Sequence, residues 1–205
     1  MATLKLAIIY YSSTGGNYKM AKMAEGAAKE AGAEVKVLKI KEIAPKEAID
    51  KNPAWKKNVE ATKDVPEATL EDLEWADSII FSIPTRYGNM PSQVQSFIDT
   101  TGGLWFQGKL ANKVVSGMTS AMNPHGGQET TLRSLYKIMS HWGAILVPTG
   151  YTDQSIFEAG GNPYGTSATI DSEGKIQNSV EKAIKHQARR TVKIAKWVKA
   201  GLAEG

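Results

Sequence analysis

The chain has 205 residues, of which 41% are hydrophobic, and a formal net charge of +4, values that suit a single domain over 1–205 with a full core. It contains no cysteine, which excludes disulfides, thiolate metal sites and cysteine nucleophiles and suits a reducing compartment. No apolar run approaches bilayer length and the first residues enter a strand without a secretory leader, so a cytoplasmic protein is expected.

Lys5–Tyr11 is a continuous apolar run of strand length, as expected for a central parallel strand buried on both faces. A loop follows: Ser12, Ser13, Thr14, Gly15, Gly16 and Asn17. From Tyr18, apolar residues Met20, Met23, Ala24, Ala27, Ala28 and Ala31 recur at helical spacing until Gly32. A strand feeding a helix through such a loop aims amides and the positive helix end at one spot, which suits a phosphate. The pattern is neither a triphosphate P-loop nor a dinucleotide glycine fingerprint, and Ser12–Asn17 holds no Lys or Arg. A terminal phosphate monoester held by neutral dipoles fits this loop, and so does an ordinary helix cap.

Glu34–Ile40 reads as a second strand, and Lys41–Thr69, with three prolines and many charges, as a surface excursion with a short helix at most. A short helix at Leu70–Ala76 leads to a third buried strand, Ser78–Ile83. The loop Pro84, Thr85, Arg86, Tyr87, Gly88, Asn89, Met90 precedes a helix opened by Pro91, and Thr100–Leu110 is a Gly-rich insertion. Val114–Ser120 is the fourth strand. A third loop, Ala121, Met122, Asn123, Pro124, His125, Gly126, Gly127, enters a helix at Gln128 that buries Leu132, Leu135, Ile138, Met139 and Trp142. Ala144–Pro148 is the fifth strand, Gly150–Thr169 a second Gly-rich segment, and Ser179–Leu202 the closing helix. That helix carries much of the positive charge, read as a solvated face in preference to a nucleic-acid surface.

Strands alternating with helices predict an α/β, doubly wound, five-stranded parallel sheet in the order 2-1-3-4-5. The loops after strands one, three and four then converge at the switch point between strands one and three. The first takes a phosphate, the second offers Arg86 and flat Tyr87, and the third offers backbone and His125. Such a crevice suits a planar heterocycle chained to a terminal phosphate, and FMN matches in shape and charge. Taken singly, Tyr87 also reads as a surface aromatic and Arg86 as an ion-pair partner.

Tyr10-Tyr11-Ser12, Pro84–Met90, Thr101-Gly102-Gly103-Leu104-Trp105, Gly126-Gly127-Gln128-Glu129 and Gly161–Gly165 together resemble the flavodoxin superfamily and, within it, the WrbA-type NAD(P)H:quinone oxidoreductases. The resemblance covers nearly the whole chain. It implies a homotetramer that binds FMN and passes two electrons from NADH or NADPH to a quinone by a ping-pong route, with no nucleic-acid or membrane partner. It assigns Ser12–Asn17 to the phosphate, Thr85, Arg86 and Tyr87 to the flavin ring, with Gly88 and Asn89 of the same loop also binding the cofactor, and Ala121–Gly126 to the third cofactor loop. Trp105 and Tyr87 become cavity walls, His141 a residue at the flavin face suited to proton donation, and Thr14 a neighbour of the nicotinamide. Where the family has Ser-Thr-Gly-Thr-Gly-Gly, this chain has Ala121–Gly126, which loses hydroxyls and, at Pro124, a backbone donor. A one-electron flavodoxin and a non-catalytic flavin-binding module are the rival readings. The basic balance and the two Gly-rich segments argue against the former.

Overall fold

The computed structural model describes residues 3–203. Its elements, in chain order, are β1 (Leu4–Tyr10), α1 (Gly16–Glu30), β2 (Ala33–Lys39), α2 (Lys46–Asp50), α3 (Pro53–Ala61), α4 (Leu70–Trp75), β3 (Ser78–Pro84), α5 (Ser92–Asp99), α6 (Gly102–Phe106), β4 (Val114–Ala121), α7 (Gln128–His141), β5 (Ile145–Leu146), α8 (Gln154–Glu158), β6 (Ser167–Thr169) and α9 (Glu181–Leu202). The sheet is parallel in the expected order, β2-β1-β3-β4-β5, and a sixth short strand, β6, also pairs with β4.

Both faces of the central strands are covered, which is why β1, β3 and β4 are buried along nearly their whole length, the serines and threonine of β4 included. Successive residues of β1 serve opposite faces. Leu6, Ile8 and Tyr10 pack with α1 and α9 through Met20, Ala24, Ala28 and Val192. Ala7, Ile9 and Tyr11 join the opposite face, where α4, α5 and α7 bring Leu73, Val94, Leu135, Met139 and Trp142. Each fully buried Ile or Leu there contributes roughly 2 kcal/mol. Trp142 is 6% exposed and tilts against Phe81 at 6.5 Å, so it is a core residue, as its helical spacing implies.

The fold departs from the sequence reading in four segments. The excursion 41–69 contains two helices, α2 and α3. The Asn52 side chain accepts from Trp55 N–H to cap α3, and Pro53 occupies the first turn, where its missing N–H costs nothing. The first Gly-rich insertion forms α6, and the second forms α8 and β6. The fifth strand, expected over Ala144–Pro148, is regular only at Ile145–Leu146.

The fifth strand position is in fact divided. β5 pairs with Val114 and Val115, and β6 pairs with Thr119, Ser120 and Ala121. Between them the outer edge of β4 at Gly117 has no strand beside it, and side chains complete its hydrogen bonds. Gly117 N–H donates to the Tyr136 hydroxyl at 3.0 Å, which in turn donates to the Tyr164 carbonyl at 2.7 Å. The Gln187 amide donates to the Gly117 carbonyl and to Ser116 Oγ, both at 2.7 Å, and its oxygen accepts from Thr166 N–H. Burial pushes the Tyr136 hydroxyl up to about 12, so it stays protonated and able to donate.

The cationic face of α9 is laced with partners. Lys185 pairs with Glu181, Arg189 with Glu30 and Lys199 with Asp77. His186, on the same helix, lies 2.8 Å from Thr152 Oγ1, next to α8. No helix among the described residues is long and apolar enough to cross a membrane.

The divided strand yields a stability prediction. Tyr136→Phe leaves the buried Gly117 N–H without an acceptor and should cost about 1–3 kcal/mol. Urea unfolding should show a lowered midpoint with an unchanged slope; an unchanged midpoint would mean that the hydroxyl is dispensable to the edge.

Candidate active site

The loops after β1, β3 and β4 meet at the carboxyl end of the sheet. The first is held from below. Asn17 is 1% exposed, and its side chain turns into the core rather than towards a ligand. Its amide nitrogen donates to Ser82 Oγ on β3, and its oxygen accepts from Ser120 Oγ on β4 at 2.7 Å. This fixes the start of α1 over the ends of both strands. Ser12 Oγ accepts from Gly15 N–H at 2.9 Å and Asn17 N–H at 3.2 Å, curling the loop around its own hydroxyl. Among the described residues, the Gly16 and Tyr18 N–H groups find no protein acceptor. These free donors at a helix N-terminus suit an anion.

A cation joins them from outside the loop. Arg86 Nη2 donates to Ser13 Oγ at 3.1 Å. The expectation of neutral dipoles therefore holds within Ser12–Asn17 but not for the assembled site, because the second loop brings its guanidinium across. Lys19, whose Nζ donates to the Gly174 carbonyl at 2.9 Å, marks a further neighbour that sequence spacing did not reveal. The 171–174 turn packs directly on the first loop. A side chain at Gly174 would begin 1.9 Å from the Thr14 carbonyl, so only glycine permits the approach.

In the second loop Arg86 and Asn89 exchange two backbone hydrogen bonds, at 2.7 and 2.9 Å, around a tight turn. Tyr87 has φ +52° and Gly88 φ +78°, and this turn leaves the tyrosine ring entirely in solvent. A positive φ at a bulky aromatic is costly backbone strain of the kind that clusters at ligand sites. Thr85 is the hub between the loops. Its N–H donates to the Ser120 carbonyl, its hydroxyl donates to the Gly126 carbonyl, and Thr131 Oγ1 and Gly88 N–H lie at 2.7 and 3.2 Å from that hydroxyl.

The third loop is closed by its own residues. Asn123 Oδ1 accepts from His125 N–H at 2.9 Å, and the Asn123 carbonyl accepts from the Gln128 amide at 2.7 Å. Pro124 thus sits in a turn that does not need its missing donor. Gly127 has φ +85°, and a side chain there would begin 2.5 Å from Gly88 Cα, so the second and third loops touch backbone to backbone. Ala121 is buried beneath the loop, while Met122, Asn123, Pro124 and His125 are exposed. On the far side of this loop a cavity of about 520 Å³ is lined by His125, Gln128, Glu158, Asn162, Ser167 and Asn178. Among the described residues no cluster of His, Asp and Glu could hold a metal.

Trp105 and His141 are not in this crevice. They are neighbours of each other: Trp105 Nε1 donates to the His141 carbonyl at 2.8 Å. Both lie at the opposite, amino end of the sheet. α7 starts at the third loop and runs back for 14 residues, a span of roughly 20 Å. Beyond it, the Gly143 carbonyl accepts from Asn112 N–H just before β4 begins. One copy of the chain therefore keeps Tyr87 and the Trp105–His141 pair at opposite ends. Tyr87, Trp105 and Phe106 are 106%, 53% and 85% exposed, so both ends present aromatic surface.

The donors and rings at the carboxyl end fit a flat heterocycle that carries a phosphate: free helix amides, a guanidinium at the loop hydroxyl, and a projecting aromatic beside two backbone turns. Known proteins agree with this architecture. A family model described as NADPH-dependent FMN reductase matches residues 4–155. The chain is 57% identical over 193 residues to an NAD(P)H dehydrogenase (quinone) of Deinococcus radiodurans, covering 94% of this chain and 96% of that one. It is 40% identical over 208 residues to an NAD(P)H dehydrogenase (quinone) of Aromatoleum aromaticum, covering 98% and 100%. Among solved structures, the flavodoxin, WrbA-like protein from Agrobacterium tumefaciens superposes with a TM-score of 0.63 at 21% identity, over 97% of this chain and 99% of that one, a likeness of fold. The three converging loops, the doubly wound sheet and these relatives lead to one assignment: the chain belongs to the NADPH-dependent FMN reductase family, among its NAD(P)H dehydrogenases (quinone).

Proposed function

We propose that the chain is an FMN-dependent NAD(P)H:quinone oxidoreductase whose donor and acceptor use one cavity in turn, and that this cavity is completed by neighbouring copies in a homotetramer. The observation that carries the cofactor is the set of free amides at the start of α1 beside Ser12, Ser13, Thr14 and Arg86. These would hold the phosphate of FMN. Thr85, Arg86, Tyr87, Gly88 and Asn89, with Ala121–Gly126, would frame the ring. When bound, FMN supplies two-electron hydride chemistry between a nicotinamide and a quinone.

The protein's own part is position, exclusion of water and proton supply. Tyr87 would offer a flat face for stacking, and Arg86 would supply positive charge beside the hydroxyl of Ser13. Trp105 and His141 act from the neighbouring copy, the aromatic as a wall and the imidazole as proton donor to a quinone oxygen. What supports sharing is the separation of the two ends within one copy, together with their exposed rings. A two-fold arrangement that lays the Trp105–His141 end of one copy over the loops of another generates the reciprocal site at once and buries both apolar ends. Two such pairs make the tetramer.

Steady-state turnover of the FMN-loaded protein with NADH or NADPH and benzoquinone tests the reaction. Parallel double-reciprocal lines are expected; no turnover with either nucleotide would overturn the assignment.

Thr14→Glu tests the phosphate loop. A carboxylate beside the bound dianion should weaken FMN by more than about tenfold while the fold survives. Unchanged affinity in a flavin-fluorescence titration would place the phosphate elsewhere.

Sharing is tested by complementation. Trp105→Ala removes one aromatic wall and should slow quinone turnover by about tenfold while FMN stays bound. Mixed assemblies of Thr14→Glu and Trp105→Ala chains should turn over faster than either variant alone, because some sites combine an intact loop with an intact Trp105. A monomer by light scattering that keeps full activity, or mixtures no better than the variants alone, would refute the shared cavity.

A further inference from the structure

Glu42, in the segment between β2 and α2, is at the centre of a set of hydrogen bonds behind the first loop. Its Oε2 accepts from the Tyr11 hydroxyl at 2.9 Å and from Trp55 Nε1 at 3.0 Å. Its Oε1 accepts from the Gln93 amide at 2.8 Å and from Ala44 N–H at 2.9 Å. A carboxylate has about four acceptor positions, so its capacity is filled. All four donors are neutral, and among the described residues no Lys or Arg forms an ion pair with it. A carboxylate so placed serves geometry, since its plane dictates where each donor must sit.

The donors come from the segments that build the site. Tyr11 is the residue before Ser12. Gln93 belongs to α5, the helix that leaves the second loop. Trp55 belongs to α3, one turn before Asn58, whose Nδ2 donates to the Ser12 carbonyl at 2.8 Å. Asn58 Oδ1 also lies 3.0 Å from where a side chain at Gly15 would begin, so α3 presses against the turn itself. Burial, with the charge of Glu42 added, pushes the Tyr11 hydroxyl far up, so it remains a donor throughout the neutral range.

We propose that Glu42 is a positioning residue for the cofactor phosphate: through Tyr11, Trp55 and Asn58 it holds the Ser12–Gly15 turn in its binding shape before ligand arrives. It rests on the assignment of FMN phosphate to this loop. Glu42 does not touch the ligand; its effect is that the loop amides need not be ordered on binding, which raises affinity for the phosphate alone.

FMN and riboflavin share the ring and differ in the phosphate, so the ratio of their dissociation constants isolates that contribution. Fluorescence titrations of both flavins against the full-length apoprotein should show FMN binding weakened about tenfold by Glu42→Gln, the scale of lost hydrogen bonds to a charged group. Trp55→Phe and Asn58→Ala keep the charge of Glu42 and should weaken FMN several-fold. Riboflavin should change less than about twofold in all three, because its contacts lie on the other loops. Far-UV circular dichroism checks folding, and the two charge-preserving variants carry the test if Glu42→Gln fails to fold. Equal losses for the two flavins, an unchanged ratio, or tighter FMN binding by Glu42→Gln would each overturn the role of Glu42. If the unmodified protein itself binds FMN no better than riboflavin, the phosphate assignment falls, and the role of Glu42 falls with it.

Discussion

The site depends on one buried amide. Asn17 lies in the first turn of α1 and bonds Ser82 of β3 and Ser120 of β4 through its side chain. Ser82 Oγ returns a hydrogen bond to the Asn17 carbonyl at 2.9 Å. A buried amide left unsatisfied is expensive, so the arrangement admits one placement of the helix. With the helix fixed, Ser12 accepts from the Gly15 and Asn17 amides at its first turn, and Arg86 reaches Ser13. The parallel sheet does the rest, since parallel strands end together and their following loops must meet.

The same economy explains the divided fifth strand. A full-length strand beside β4 would occupy the place from which Tyr136 and Gln187 reach Gly117. The chain instead pairs with the two ends of β4 and uses the intervening residues to build α8 and the segment around Tyr151 and Phe157, whose rings stack at 5.0 Å and remain half-exposed. In one molecule, then, a gap in the sheet is filled by side chains so that the displaced chain can form an outer surface.

Much of this was legible in the residue pattern because it follows from periodicity. The runs at Lys5–Tyr11 and Ser78–Ile83 read as buried strands and Val114–Ser120 as a further strand, and their alternation with helices predicted the order of the sheet and the meeting of three loops. Over 41–69 one short helix at most was expected, because the helices at 46–50 and 53–61 are short and punctuated by prolines; Asn52 followed by Pro53 was the usable signal, a cap and a first-turn residue. Glu42 was missed because its four donors lie 2, 13, 31 and 51 residues away, and only the folded chain brings them together. Trp105 and His141 show the reverse case. Their motif was recognisable, yet which end of the sheet they occupy comes from the direction and length of α7, which a motif does not contain.

On this reading the crevice hosts FMN and exchanges electrons with both substrates two at a time. An anaerobic titration of the FMN-loaded protein, followed by its visible flavin absorbance, tests it most directly. NADH or NADPH should bleach the absorbance in a single phase at one equivalent per flavin, and one equivalent of quinone should restore it. Bleaching that needs an artificial one-electron reductant, or a reduced protein that quinone does not reoxidise, would rule out two-electron quinone reduction at this site.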